Sequence, residues 1–312
     1  MAFEFVALSL SQNEPETNFS TVDRRFLRDI DNPLELPPSE FRKLYRVRPG
    51  MVADVVERLE DLLKGSRITA ISAEKQVLCA LRFYATGCYQ RPVGEQWGIS
   101  LSQSSTSRCI HKVTEAINSR LFLSEVKFPM TQIERQAAKE AFSLAPAPFV
   151  GGTIGAIDCT HISILGPKNN EEAYVNHHGY HSINVQMICD PNLKILNVNA
   201  RYPGARHDSY IWSSSAVRQV MQRAFENGNR NMFLIGDSGY PLEPWLLYPT
   251  SQKGHQNFGT MKRSARHGTR LRDSLASLKE RGDAYHNKGF CCMTPLSLVK
   301  SLTRVQPFIT FV

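Results

Sequence analysis

The stretch that decides the fold is Gly151–Gly166, GGTIGAIDCTHISILG, a β-prone apolar segment that contains the carboxylate of Asp158. A second apolar run, Met232–Tyr240 (MFLIGDSGY), lies further along the chain and carries Asp237 near its end. An acid within or just after a buried strand costs free energy unless it is paired or binds a cation. The two acids therefore indicate a site that gathers cations.

The segments around these acids follow a recognisable order of strands and one helix. Apolar runs, alternating patterns and flanking turns predict four strands: Thr153–Ile164, Tyr180–Asp190, Lys194–Tyr202 and Met232–Gly236. A helix over Ser209–Glu226, capped by Asp208, is expected before the last strand. Three hairpin strands, a crossover helix and a fourth strand make the core of an α/β, ribonuclease H-like mixed sheet. In that layout the first and fourth strands are neighbours, so Asp158 and Asp237 should face each other.

The chain before the strands is predicted to be helical. Apolar periodicity and capping residues indicate helices over Ser39–Arg46, Pro49–Lys64, Ala73–Gly87, Ser105–Leu121 and Glu134–Phe142. A short helix, a glycine-containing turn and a helix led by Ser, Thr and Arg are typical of a helix-turn-helix. The residues expected to contact DNA at the start of the recognition helix are Ser105, Thr106, Ser107 and Arg108. The alternative is a helical bundle whose polar residues are simply solvated.

These patterns divide the chain into four segments. Residues 1–38 are expected to form a flexible arm, and residues 39–143 an all-helical, DNA-binding-like domain. A Pro-rich linker then leads to an incomplete nuclease-like domain over residues 149–250. Residues 251–312 form an aberrant basic tail, with 11 Lys and Arg against 3 Asp and Glu. The whole excess of the +8 net charge lies in this tail, so charge alone does not support nucleic-acid binding.

Composition excludes several other classes of protein. No apolar run is long enough to cross a membrane, and the N-terminus lacks the basic start of a signal peptide. The seven cysteines contain no C-x-x-C pair, so they indicate buried thiols in a reducing compartment rather than a zinc framework. Four histidines near the first two strands have mixed spacing and are expected to be core or surface residues: His161, His177, His178 and His181.

Four motifs in the same order resemble the nuclease domain of PIF/Harbinger-type DDE transposases and the Harbinger transposase-derived nucleases. They are GAIDCTHI, YVNHHGYHSINVQ, YPGARHDSYIW and GDSGYPL. The segment ALRFYATGCYQRPVGEQWGIS is similar to the N-terminal region of this family. The resemblance covers roughly residues 40–250. It implies a metal-dependent endonuclease that cuts DNA in the nucleus, with the cytoplasm as a further location.

The resemblance also assigns roles to individual residues. Asp158 matches the first catalytic and metal-binding Asp of the family, and Asp237 matches the second. His207 and Asp208 match a motif that lies beside the metal site. Oxygen ligands with open positions suit Mg²⁺ or Mn²⁺, and two such ions promote phosphodiester cleavage. The expected partners are DNA and a separate Myb-like DNA-binding protein, as in the family, with no membrane.

The third carboxylate of the family has no counterpart in the tail. The resemblance places it at Arg272, 35 positions after Asp237. If the tail is read one nucleotide upstream with freely chosen codons, Leu271–Lys279 permit Val-Glu-Arg-Leu-Phe-Gly-Val-Leu-Lys, with the Glu at that position. We therefore hypothesise that the chain from about residue 250 is a frameshifted translation and that activity is impaired. The alternative is a genuine divergent tail that binds DNA.

Two other functions compete with the nuclease. A catalytically inactive, domesticated DNA-binding or interaction protein would fit the helix-turn-helix pattern and the missing acid. A hydrolase with a Ser or Cys nucleophile is disfavoured, because the chain has no G-x-S-x-G motif.

Overall fold

The computed structural model describes residues 21–145 and 151–247, a helical region followed by a mixed α/β region. The start of the expected arm, most of the linker and the basic tail lie outside the described residues. The frameshift hypothesis for the tail is therefore untested by the structure.

The helical region consists of eight α-helices within residues 21–145. They are α1 (Thr21–Ile30), α2 (Pro38–Tyr45), α3 (Pro49–Leu63), α4 (Ala73–Thr86), α5 (Gln90–Gly94), α6 (Gln103–Ala116), α7 (Leu123–Glu125) and α8 (Gln132–Ser143). Side-chain caps define where several of them begin. Ser72 Oγ accepts the N–H of Lys75 at the start of α4, and Ser102 Oγ accepts the N–H of Ser105 at the start of α6.

Apolar residues from α2, α3, α4 and α6 share one core. Phe41, Leu59, Leu78 and Val113 are fully buried there. Burying such side chains contributes about 1.5–3 kcal/mol each, which holds the helices together without a sheet. The expected helices are thus present, but a helix-turn-helix that binds DNA stays a prediction.

The described part of the expected arm is ordered rather than irregular. Helix α1 is followed by a 3-10 turn over Pro33–Glu35, and Pro33 is buried. Arg24 donates to the Leu101 carbonyl at 3.2 Å, and Lys75 Nζ donates to the carbonyls of Asp31 and Gly98. These long-range contacts attach residues 21–38 to the helical region, which polar composition alone did not predict.

The α/β region is built on a five-stranded mixed sheet with the order β3-β2-β1-β4-β5. The strands are β1 (Thr153–Ser163), β2 (Ser182–Cys189), β3 (Ile195–Pro203), β4 (Phe233–Ile235) and β5 (Leu246–Leu247). β1 pairs antiparallel with β2, and β2 with β3, as a hairpin meander. β4 lies parallel to β1 on its other side, so the predicted adjacency of the first and fourth strands is confirmed.

Two helices make the crossover from β3 to β4, where the sequence predicted one. They are α9 (Asp208–Ser213) and α10 (Ala216–Glu226). The break falls in a run of serines, and buried Ser215 starts α10 by accepting the N–H of Arg218 at 3.1 Å. Ile211 and Trp212 on α9 and Met221 on α10 are fully buried in a cluster that also holds Ile157 of β1.

Within residues 21–145 and 151–247, none of the helices has both the length and the apolar character needed to span a bilayer.

Candidate metal centre

Asp158 lies within β1, the strand between β2 and β4. Its position in the ladder is opposite Met187 of β2. The carboxylate is half-buried, and Oδ1 accepts the N–H of Cys159 at 2.8 Å. An acid held inside the sheet in this way is fixed by the backbone and cannot swing freely into solvent.

Asp237 follows β4 by two residues and is also half-buried. Because β4 runs parallel to β1, the chain leaves β4 toward the half of β1 that contains Asp158. Asp237 Oδ1 accepts the N–H of Gly239 at 2.9 Å, which folds the loop back over the carboxylate. The parallel pairing therefore brings the two predicted acids to one edge of the sheet.

Asp208 is the third acid at this edge. It was expected to cap the following helix and to lie beside the metal-binding pair. The structure differs on the first point, because the N-cap residue is His207 and Asp208 is the first residue of α9. Asp208 Oδ1 accepts from Nδ2 of buried Asn184 at 3.0 Å, and the same Nδ2 donates to the Arg206 carbonyl at 2.8 Å.

The three carboxylates form a cluster that could hold a metal ion. One oxygen from each of Asp158, Asp208 and Asp237 lies within 4.8 Å of the other two. Among the described residues, this acid triad is the only such group of three or more Asp, Glu, His or Cys side chains. Like charges this close repel one another, and a bound cation would relieve that repulsion. His207 is exposed and contributes its backbone carbonyl to the first turn of α9.

Gly239 allows the loop after β4 to approach the triad closely. A Cβ atom built on Gly239 would lie 3.1 Å from Asp237 Oδ1 and 3.5 Å from Asp208 Oδ2. A Cβ there would crowd the Asp237 carboxylate and would make an ordinary contact with that of Asp208. Neither Gly239 nor Asn184 was predicted to support the site, although they lie within the motifs GDSGYPL and YVNHHGYHSINVQ.

A thiol and a phenol lie buried next to the acids. Cys159 Sγ and Tyr240 OH are 3.1 Å apart, and both side chains are buried. Burial raises the pKa of the Cys159 thiol well above its usual value, and the nearby Asp208 carboxylate raises it further. Burial likewise raises the pKa of Tyr240. Both groups therefore stay protonated near neutral pH, which argues against Cys159 as a nucleophile.

The loop that carries Asp237 is anchored to the crossover helices by Glu243. Its carboxylate accepts from Trp212 Nε1 at 2.9 Å and from two nitrogens of Arg218 at 2.8 and 3.0 Å. The Glu243 side chain is only 15% exposed, so this ion pair is shielded from solvent. These contacts fix the position of the segment that follows Asp237 against the two crossover helices.

The predicted DNA-contacting residues lie on α6, in the helical region. Arg108 is exposed and donates to Ser105 Oγ at 3.1 Å, and Ser105 and Ser107 are half-buried. Thr106 is fully buried, and its Oγ1 packs so close to Gly94 that a Cβ atom there would clash with it. It therefore cannot reach DNA, because it lies on the same buried face of α6 as Cys109, Ile110 and Val113. DNA contact by the other three residues remains a prediction.

Comparison with known proteins places the triad in a family context. The profile of the DDE superfamily endonucleases matches residues 157–274. The match begins one residue before Asp158 and includes Asp208 and Asp237. It also runs past residue 247, where the described residues end, into the basic tail. No solved structure matches the chain at a significant level.

Several curated proteins are similar to the chain. The human protein "Putative nuclease HARBI1" is 38% identical over 185 residues, which are 59% of this chain and 50% of the human protein. Its Xenopus laevis counterpart is 32% identical over 207 residues, 64% of this chain and 57% of that protein. "Protein ALP1-like" of Arabidopsis thaliana is 27% identical over 195 residues, 59% of this chain and 46% of that protein. The matches thus span about half the length of these relatives. The chain carries a DDE superfamily endonuclease domain and is homologous to the Harbinger transposase-derived nucleases.

Proposed function

We propose that the protein is a metal-dependent DNA endonuclease that hydrolyses phosphodiester bonds at the acid triad of Asp158, Asp208 and Asp237. The observation that supports this function is the convergence of three carboxylate oxygens within 4.8 Å, inside the segment matched by the endonuclease profile. Asp208 thereby provides a third carboxylate beside Asp158 and Asp237, the two acids that the sequence assigned to the metal.

The donor set fits a hard divalent cation. All three groups are carboxylates, and oxygen ligands are those that Mg²⁺ and Mn²⁺ prefer. Each acid is half-buried, so it is restrained and yet open to a substrate from one side. When bound, such an ion stabilises the negative charge that develops on the phosphoryl oxygens.

The protein's own groups set the orientation of the carboxylates. The N–H groups of Cys159 and Gly239 hold Asp158 and Asp237, and the Asn184 amide holds Asp208. These restraints reduce the reorganisation that the site needs when substrate binds. In the overall reaction a water oxygen bonds to phosphorus, one phosphorus–oxygen ester bond breaks, and the leaving oxygen takes a proton.

A second candidate function is a catalytically inactive DNA-binding or interaction protein. It is favoured by Arg272, which stands where the resemblance places the third acid. A triad completed by Asp208 could bind a cation without supporting cleavage. Under either function we propose DNA as the partner, a nuclear location, and a Myb-like protein as the source of further DNA affinity.

The test uses the full 312-residue chain. Mn²⁺ binding is measured by titration, and nicking of supercoiled plasmid is measured with Mg²⁺ and with Mn²⁺. For a nuclease we expect saturable Mn²⁺ binding and nicking. Asp158→Asn, Asp208→Asn and Asp237→Asn should each reduce the rate by about 10³-fold or more.

The matched control is Asp54→Asn, which removes an exposed acid on α3 and should change neither property. Mn²⁺ binding without nicking would support the inactive alternative. A chain that shows neither binding nor nicking would refute a metal centre at this triad.

A further inference from the structure

A turn rich in histidine precedes β2, at the end of the strand where Asn184 contacts Asp208 of the acid triad. Residues Asn176–Tyr180 form this turn, closed by a hydrogen bond from the Asn176 N–H to the Tyr180 carbonyl at 3.0 Å. His177 and His178 at its tip are exposed, and their ring centroids are 3.8 Å apart. The His161 ring of β1 packs edge-on against both, at 5.4 and 6.5 Å.

The turn is held by a buried polar network. Asn176 and Ser182 are 5% and 0% exposed. Asn176 Oδ1 accepts the N–H groups of His178 and Tyr180, so its Nδ2 points the other way and donates to Ser182 Oγ at 2.9 Å. Ser182 Oγ in turn lies 3.1 Å from His161 Nδ1. The network fixes the turn and the His161 ring relative to each other.

The turn is linked to Asp208 of the acid triad through His161 and Asn184. His161 lies three residues after Asp158 on β1, which corresponds to about 10 Å along a strand. His161 is also paired directly opposite Asn184, whose amide donates to Asp208. Residues opposite each other in an antiparallel pair point to the same face of the sheet. His161 thus shares a sheet face with Asn184, which contacts Asp208, whereas Asp158 points to the other face of β1.

These positions suggest a role in binding the DNA backbone. Three carboxylates repel phosphates, so DNA that reaches them requires favourable contacts nearby. Imidazole N–H groups donate to phosphate oxygens, and more strongly when the ring is protonated. We propose that His177 and His178, packed against His161, form a phosphate-binding surface for the DNA strand that enters the acid triad. This inference rests on the proposed function, because it assumes a DNA substrate.

The surface is a phosphate site rather than a second metal site. In the described part of the chain, only the acid triad brings three potential ligand atoms within 4.8 Å of one another. The histidine nitrogens do not converge in that way. Two protonated rings with centroids 3.8 Å apart would repel each other, and a bound phosphate would offset this repulsion. Phosphate binding and ring protonation therefore favour each other.

Among the residues that the structure describes, charged groups on the segments next to the turn are few. They are Glu171, whose Oε1 lies 2.9 Å from His181 Nε2, Glu172 on the same 3-10 turn, Arg206 before α9, and Asp158 and Asp208 of the triad. Histidine side chains commonly change charge between pH 5 and pH 8, so DNA affinity should rise as pH falls through that range.

The experiment measures binding of a fluorescent duplex to the full chain by anisotropy, with Ca²⁺ in place of Mg²⁺, at about pH 6 and pH 8. We expect wild type to bind more tightly at the lower pH. His177→Gln/His178→Gln should lose that pH dependence and bind about tenfold more weakly at the lower pH, with a shallower salt dependence. His177→Lys/His178→Lys carries permanent charge and should bind tightly at both pH values.

The matched control is Lys194→Gln, which removes an exposed cation at the opposite end of β2 and should leave the pH dependence unchanged. Mn²⁺ titration of each variant separates this inference from the proposed function, since the histidine variants should keep the triad's Mn²⁺ affinity. Unchanged DNA affinity in both double variants would overturn the proposed phosphate-binding role of His177 and His178, whether or not the triad binds Mn²⁺. Stoichiometric Zn²⁺ binding that is lost in His177→Gln/His178→Gln, with DNA affinity unaffected, would overturn it in favour of a metal site.

Discussion

The amide of Asn184 joins β2 to the acid triad. Its Nδ2 lies 3.0 Å from Asp208 Oδ1 and 2.8 Å from the Arg206 carbonyl, and the side chain is only 1% exposed. One buried donor therefore fixes both the carboxylate of Asp208 and the backbone just before α9. This bond turns Asp208 toward Asp158 and Asp237 instead of leaving it as a helix cap.

Replacing Asn184 with Leu should weaken metal binding. The substitution keeps a similar volume but removes the donor to Asp208, and the loss of such a supporting group typically costs about 10- to 100-fold in metal affinity. Mn²⁺ titration measures the effect. Asn199→Leu on β3 is the control and should retain wild-type affinity. Equal affinity in the Asn184 variant would show that Asp208 needs no support from β2.

Gly239→Ala should disturb the triad while leaving the fold intact. The new methyl group would lie 3.1 Å from Asp237 Oδ1, so that carboxylate must shift by a few tenths of an ångström, whereas the 3.5 Å distance to Asp208 Oδ2 is an ordinary contact. We expect weaker Mn²⁺ binding with little change in the thermal midpoint. Gly151→Ala is the control, because a Cβ there has no neighbour within 4 Å. A Gly239 variant with unaltered Mn²⁺ affinity would mean that the loop adjusts without moving the acids.

Glu243→Gln should destabilise the α/β region. It removes the charge from a carboxylate that accepts from Trp212 and Arg218 in a shielded position, where hydrogen bonds to charged groups contribute about 1.5–3 kcal/mol. Urea unfolding measures the change in the free energy of unfolding. Glu226→Gln at the exposed end of α10 should change it by less than about 0.5 kcal/mol. Equal free energies of unfolding for the Glu243 and Glu226 variants would show that the contacts of Glu243 with Trp212 and Arg218 do not stabilise the fold.

Native alkylation should distinguish the cysteines of the described residues. Burial raises the pKa of Cys159 well above its usual value and that of Cys189 to about 12, so both thiols remain protonated at pH 8. Cys88 is half-exposed and should react first with iodoacetamide. Peptide mass spectrometry checks the order, and urea-unfolded protein, in which every cysteine reacts, is the control. Early modification of Cys159 would contradict its buried position.

The sequence predicted the sheet better than it predicted the triad. A strand pattern repeats every two residues, so β1, β2 and β3 could be recognised locally, and the fourth strand followed from its apolar run. Asp208 could not be assigned in the same way. A polar residue just before or at the start of a helix looks the same whether it caps that helix or points to a distant ligand. Only the long-range contact with Asn184 separates the two roles.

The helical region shows a similar limit. The existence of α3, α4 and α6 followed from apolar periodicity, but the start of α6 at Gln103 came from the Ser102 cap. Thr106 is buried because it lies on the face of α6 that carries Cys109, Ile110 and Val113. Helix α1 was not predicted, because the contacts of Arg24 and Lys75 that hold its segment join residues far apart in the chain.

The sequence by itself determined the order of strands and helices and assigned Asp158 and Asp237 to the metal site, with Asp208 beside it. Apolar patterns and an acid within a buried strand are local signals. Tertiary structure decided which side chains meet. The parallel pairing of β1 with β4 brings Asp237 to Asp158, the Asn184 amide turns Asp208 toward them, and the Asn176–Ser182 network holds the histidine turn next to His161. These contacts depend on strand register and crossover direction, which arise from packing over the whole domain.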